Sequence, residues 1–220
     1  MAFALLTHTA KGATASNTVT TTAIDTTGAT VIAIVLAGSL GAFTPSDLSD
    51  SASNQAAYLF CPVQNAGLIL VFIINPATSA SHTFTYTQTF SYPSLAVASF
   101  SGAAGGLQTS DGANNVASTT VQPGSLTPSG ANGLLVTGYT NNLSTGTPTF
   151  TIDSSFIKTD QIDGGATPST VALAYLIQTS AVSVNPTWTT STSAANTTMM
   201  AVVNLLGGAG GGGTTGFASA

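Results

Sequence analysis

Few side chains in this sequence could do acid–base, metal or nucleophilic chemistry. His8 and His82 are the only imidazoles, and Cys61 is the only thiol. Zinc sites draw on close pairs of such ligands at short recurring intervals, and these three show no such spacing. His82 opens an alternating stretch, Ser81-His82-Thr83-Phe84, and reads as a strand-end residue satisfied by its neighbours. Cys61 precedes Pro62 and reads as a small buried hydrophobe; a lone cysteine forms no internal disulfide. All seven acids are aspartates. They cluster as Asp47-Leu48-Ser49-Asp50 and as Asp160-Gln161-Ile162-Asp163-Gly164, both in expected loops. Such loops can hold calcium through carboxylates and carbonyls. Aspartate also caps its own backbone in turns, and turn chemistry is the preferred reading. Glycoside cleavage needs two acids facing across a cleft, one with a raised pKa. Nothing in the spacing arranges that, and glutamate is absent.

Other motifs fail on context. Gly208-Ala209-Gly210-Gly211-Gly212-Gly213 matches a dinucleotide fingerprint formally, but only seven residues follow it, too few for the required helix. Neither Lys11 nor Lys158 follows a phosphate loop, and no Gly-x-Ser-x-Gly elbow occurs. Tyr58, Tyr86, Tyr92, Tyr139, Tyr175 and Trp188 could stack on sugars if exposed; most are expected in the core. Asn142-Leu143-Ser144 and Asn196-Thr197-Thr198 match the glycosylation sequon and are read as coincidence. The N-terminus, MAFALLTHTAKG, reads as mature sequence without a signal peptide. No catalytic residue, metal or cofactor is expected, and an enzyme is not.

The elements that must carry these residues follow from composition. Of 220 residues, 38 are Thr and 25 are Ser, while only 4% are charged. Two lysines and no arginine cannot neutralise a phosphate backbone, so nucleic-acid binding is excluded. Helices are disfavoured, because Ser, Thr, Gly and Asn compete with the helical backbone. Hydrophobic residues at 43% suffice for a core. The longest strongly apolar run, Leu68–Ile74, is far short of the roughly 20 residues a spanning helix needs, so no membrane partner is expected.

Short β-branched and aromatic runs between Gly, Pro, Asn and Asp predict an all-β fold. The first set of strands is 4–9, 18–24, 30–37, 57–60, 68–74, 82–88 and 94–101. The second is 117–121, 134–140, 147–152, 170–179, 183–189 and 198–206. Val31–Leu36 and Leu68–Ile74 are apolar on both faces and belong centrally or at an interface. Leu95–Gly102 aligns with Met200–Gly207 at an offset of 105, which also carries Gly28 onto Gly133 and Val31 onto Val136. Residues 1–207 therefore read as one antiparallel β-sandwich, jelly-roll-like, with Greek-key halves at about 17–104 and 116–207. Residues 208–220 form a Gly-rich tail.

Three stretches carry a resemblance: Asn75–Phe84, Pro93–Gly102 and Thr120–Gly130. Together they resemble the Ser/Thr/Gly-rich β-sandwich domains of tailed-phage virion proteins, over roughly residues 5 to 207. The family's Asn-Thr-Trp segment after an Asp-rich turn is replaced here by Ser53-Asn54-Gln55, which lacks the aromatic. The resemblance implies a virion surface component, such as a capsid decoration, minor capsid or fibre protein. Scarcity of charge points the same way, since isolated sheets normally guard their edges with charged side chains. The expected partners are copies of the chain, a trimer foremost, and other virion proteins such as the major capsid protein. Phe3, Leu5, Leu6 and Phe217 are the interface candidates, as apolar anchors on the two ends. A glycan-binding module of a fibre and a self-assembling filament subunit are the alternatives.

Overall fold

Strands form wherever alternating or continuous apolar runs can find a partner edge. The computed structural model describes residues 1–38, 43–61, 67–89, 92–141, 148–163 and 169–206, with only the backbone at Ala56, Tyr58, Phe60, Cys61 and Val116. In chain order the strands are β1 (Ala4–Gly12), β2 (Thr18–Thr20), β3 (Val31–Ala37), β4 (Leu48–Asp50), β5 (Tyr58–Cys61), β6 (Leu68–Ile74) and β7 (Phe84–Thr87). They continue as β8 (Ser94–Ser101), β9 (Ala104–Val121), β10 (Leu134–Asn141), β11 (Phe150–Ile152), β12 (Ile157–Ile162), β13 (Val171–Ile177) and β14 (Trp188–Leu205). All strand pairs are antiparallel, and no α-helix occurs among the described residues.

The fold is all-β, with antiparallel sheets packed in layers. β6 and β8 have the bounds expected from sequence. The expected strand 18–24 shrinks to β2 plus an isolated bridge between Ile24 and His82. β4, β12 and most of β9 were not expected. β9 contains Gly105, Gly106, Asp111, Gly112, Asn114 and Asn115, residues that normally punctuate strands. It forms because β14 offers a partner along almost its whole length. Propensity yields here to tertiary pairing.

One five-stranded sheet has the order β1-β8-β3-β6-β5, and a three-stranded sheet has the order β2-β7-β4. The second half repeats this pattern. Its main sheet runs β9-β14-β10-β13-β12. The start of β14 lies between the end of β9 and β11, with Trp188 opposite Val121 on one side and Ile152 on the other. Numbered in chain order within each half, eight strand segments give the orders 1-8-3-6-5 and 2-7-4 twice.

Registers agree as well. Val31 faces Ile74 as Leu134 faces Ile177, and Ala33 faces Ala98 as Val136 faces Ala201. These pairs coincide at an offset of 103, two residues from the alignment expected from sequence. Side chains alternate with period two, so a two-residue slip leaves every inward position inward and is invisible to pattern matching.

Three clusters of buried side chains occupy the spaces between layers. Ile32, Ile34, Val71, Ile73, Leu95 and Val97 of the first main sheet pack on Val19, Leu48, Phe84 and Tyr86 of the small sheet. Leu135, Ala172, Ala174, Met200 and Val202 pack likewise on Val121, Phe150 and Trp188. Between them, Val31, Ala33, Val35, Phe72, Ala98 and Phe100 meet Leu134, Val136, Leu173, Tyr175, Met199 and Val203. The two main sheets thus lie face to face inside the molecule, each backed by a small sheet. This explains the two-sided apolar strands: the second half of the same chain covers the face that a partner would otherwise have to cover.

Eight of the nine charged residues lie outside this interior; the ninth, Asp50, has its side chain buried. Lys11 lies on β1, Asp111 on β9, Lys158 and Asp160 on β12, and Asp47 and Asp50 at β4. Asp153 and Asp163 follow β11 and β12, and Asp25 lies in a loop. Every charged strand residue is therefore on a sheet edge, and β1 and β12 also carry register irregularities that disrupt further pairing. β5 is the uncharged edge of a main sheet.

Candidate functional site

His82 is the centre of the most developed polar cluster. It is fully buried two residues before β7, where it forms the isolated bridge with Ile24. Its Nε2 lies 2.9 Å from Asp50 Oδ1, and its Nδ1 lies 2.9 Å from Thr26 Oγ1. The ring stacks on Phe84, with centroids 4.3 Å apart. Asp50 Oδ1 also accepts from the Ala52 N–H and from Asn54 Nδ2, and Oδ2 accepts from the Asn54 N–H. Asn54 in turn clamps Ala77, donating to its carbonyl and accepting its N–H. Thr26 does the same with Ser79, accepting its N–H and donating to its carbonyl oxygen.

A hydroxyl, an imidazole and a carboxylate in sequence have the composition of a nucleophile, base and orienting acid. Here the arrangement is closed. Thr26 and His82 are 0% exposed, and so is the Asp50 side chain. A reacting carbon would have to reach a hydroxyl already committed to Ser79 and His82. The cluster can tie three connections together: the loop after β2, the turn after β4 and the loop between β6 and β7. The second half has Leu126 and Val184 at the matching bridge, where the first has Ile24 and His82, so the polar lock belongs to one half alone.

The remaining sequence candidates lie apart from it. His8 Nδ1 pairs with Asp160 Oδ2 at 2.7 Å, joining the edges of the two main sheets at the surface. Asp47 accepts the Thr44 N–H and hydroxyl and so caps a 3-10 turn, the expected turn role. Lys158 donates to Phe150 O and to Gln161 Oε1; burial holds its pKa below the usual lysine range, against the pull of Asp163. Asp153 has a lowered pKa: burial alone would raise it, but hydrogen bonds from Thr187 and Ser154 together outweigh that. No group of three or more His, Cys, Asp or Glu close enough to hold a metal occurs among the described residues.

Tyr86, Tyr139, Tyr175 and Trp188 are buried, while Tyr92 is 37% exposed. The Tyr58 and Cys61 side chains lie outside the described set, as do Asn142, the Gly-rich motif and Phe217. Asn196 of the second sequon is buried in β14. Phe3 is buried in the chain's own inter-sheet core and Leu5 packs against that core, which takes Phe3 off the surface; Leu6 is exposed. The isolated array at His82 was missed in sequence because its members are 24 to 56 positions apart and none carries a motif. No family model, curated protein or solved structure matches this chain. No helix among the described residues is long and apolar enough to cross a membrane.

Proposed function

We propose that this chain is a non-enzymatic structural protein of a phage particle, a rigid double sandwich held on the capsid or tail surface, and that each half is a jelly roll. The order 1-8-3-6 beside 2-7-4 supports the jelly-roll reading, because rolling two Greek keys around one another gives that interleaving. On this reading each half is a roll of eight segments, where the sequence suggested one roll made from two four-strand halves.

The observation that carries the structural reading is how the polar chemistry is used. The buried hydroxyl–imidazole–carboxylate array ties loops together, and the exposed charges sit on edge strands, turns and loops. The outer faces of the small sheets are clad in hydroxyls, with Thr18 bonded to Thr87 and Thr20 to Thr85, each at 2.9 Å. Gln122 and Thr187 hold the position matching Thr20 and Thr85. Such a surface is hydrated without being strongly charged, and it suits a module packed among other proteins. Self-burial of the main sheets narrows the assembly argument. Among the described residues, the surface left for a partner is the uncharged β5 edge with exposed Leu59, together with isolated apolar residues such as Leu6 and Ile157. A homo-oligomer, a trimer foremost, would form there, seated on a partner such as the major capsid protein.

Two measurements test this. Mass spectrometry and immunogold labelling of purified tailed-phage particles should find the chain on the particle surface; its absence from particles overturns the virion assignment. Light scattering on the purified chain should give an oligomer mass, and a stable monomer at micromolar concentration overturns the oligomer.

A further inference from the structure

We propose that the second half binds a buried water molecule at the Asn141 end of its small-sheet core, held by Asn141 Nδ2, Tyr139 Oη and Asn196 Oδ1. Among the described residues, six buried side-chain polar atoms have no partner, and these are three of them. The strand register brings them together. Asn141 stands directly opposite Asn196 across β10 and β14, and Tyr139 stands opposite Thr198. Opposed residues share a face of the sheet, as do residues two apart on one strand. Tyr139 packs on Phe150 and Trp188, between the main and small sheets, so Asn141 and Asn196 face the same layer. Burial raises the pKa of the Tyr139 hydroxyl, and the Asn141 and Thr190 side chains beside it pull it back down. Solvent does not reach the group from outside: Tyr139 is 1% exposed, Asn141 6% and Asn196 3%.

Both amides are held in one orientation. Asn196 Nδ2 donates to Ser118 O at 3.0 Å, which turns Oδ1 away from that carbonyl. Asn141 Oδ1 accepts the Thr170 hydroxyl at 2.7 Å, which leaves Nδ2 as a donor. Opposed residues on an antiparallel ladder have Cα atoms only about 4.5–5.5 Å apart, yet these amides make no bond to each other. Polar groups that face one another without touching are bridged by water. The three atoms complement one molecule. Asn141 Nδ2 and the Tyr139 O–H donate to its oxygen, and it donates to Asn196 Oδ1, which gives the about three bonds usual for a buried water. The first half shows that the fold does not require polar groups here. At the offset of 103, Leu36 and Leu95 stand for Tyr139 and Thr198, and Gly38 and Pro93 for Asn141 and Asn196. None of those four has a polar side chain. A buried amide without a partner is costly, so the polar set in the second half is retained together with the ligand that satisfies it. This inference rests on the second half alone and not on where a particle would carry the protein.

A crystal structure of the intact chain, at a resolution that shows ordered solvent, tests it. One water should lie within about 3.2 Å of Asn141 Nδ2, Tyr139 Oη and Asn196 Oδ1. A dry gap, or direct bonds among the three side chains, overturns the proposal. Oxygen-17 relaxation dispersion tests it in solution, because it detects long-lived waters and is blind to exchanging hydroxyl protons. Asn196→Leu puts an apolar side chain where the acceptor stood, and should lower the count of long-lived waters by one. An unchanged count in the folded variant overturns the proposal, and the wild-type crystal structure decides the matter if that variant does not fold.

Discussion

Adding one methyl group at Gly138 tests whether the two halves truly cover each other. Gly138 is buried in β10, and a Cβ built there would sit 2.8 Å from Val35 Cγ1 and 2.9 Å from Val35 Cγ2. Val35 belongs to β3, in the opposing main sheet. Such contacts are too close, so in Gly138→Ala either the sheets separate or Val35 leaves its rotamer. Overpacking of this kind costs about 1–3 kcal/mol, and alanine in a strand returns about 0.5–1 kcal/mol of backbone entropy. The expected net loss is about 0.5–2 kcal/mol. Val35→Ala alone should cost about 2 kcal/mol, from two buried methyl groups and the space they leave. In the double variant the new methyl fills that space, so its cost should fall short of the sum by about 1–2 kcal/mol. Urea unfolding followed by Trp188 fluorescence and by far-ultraviolet circular dichroism reads all three. If the single costs add to within about 0.5 kcal/mol, the sheets do not meet at this point. The internal interface would then be misassigned.

Four further outcomes are expected. His82→Val gives the first half the residue found at the matching bridge of the second, and strips Asp50 of its imidazole donor. It should cost about 2–4 kcal/mol in urea unfolding, and a near-neutral result would refute the lock. Trp188→Phe loses the Nε1–H bond to Thr137 Oγ1 at 3.1 Å and part of a buried ring. It should cost about 2–3 kcal/mol, with faster amide exchange concentrated in the second half. Burial, reinforced by the Asp47 carboxylate, pushes the Tyr86 hydroxyl from 10.0 up to about 12. Between those values the folded chain holds a proton that the unfolded chain releases. Stability should therefore fall as pH rises through that window, by up to about 2–3 kcal/mol, and Tyr86→Phe should flatten the fall. Finally, Leu59→Lys puts a charge on the β5 edge and should shift the light-scattering mass toward monomer; an unchanged oligomer would place the contact elsewhere.

Composition and alternation were enough to determine an all-β chain and its central strands. The runs 68–74 and 94–101 need both faces covered wherever they go, so their bounds were legible in the residues alone. The near-repeat was legible too, but not its register, since a slip of two residues preserves every inward and outward position. β9 and β12 were hidden because pairing with β14 and β13 overrides glycine, asparagine and charge in the local sequence. The His82 array was hidden for the same reason: Thr26, Asp50 and His82 meet only when three connections close over one end of the first half. Above all, the sequence called for something to cover its two-sided strands without saying what. Tertiary structure made that cover the other half of the same chain, because a joined second copy can bury the face without the entropic cost of capturing a separate partner.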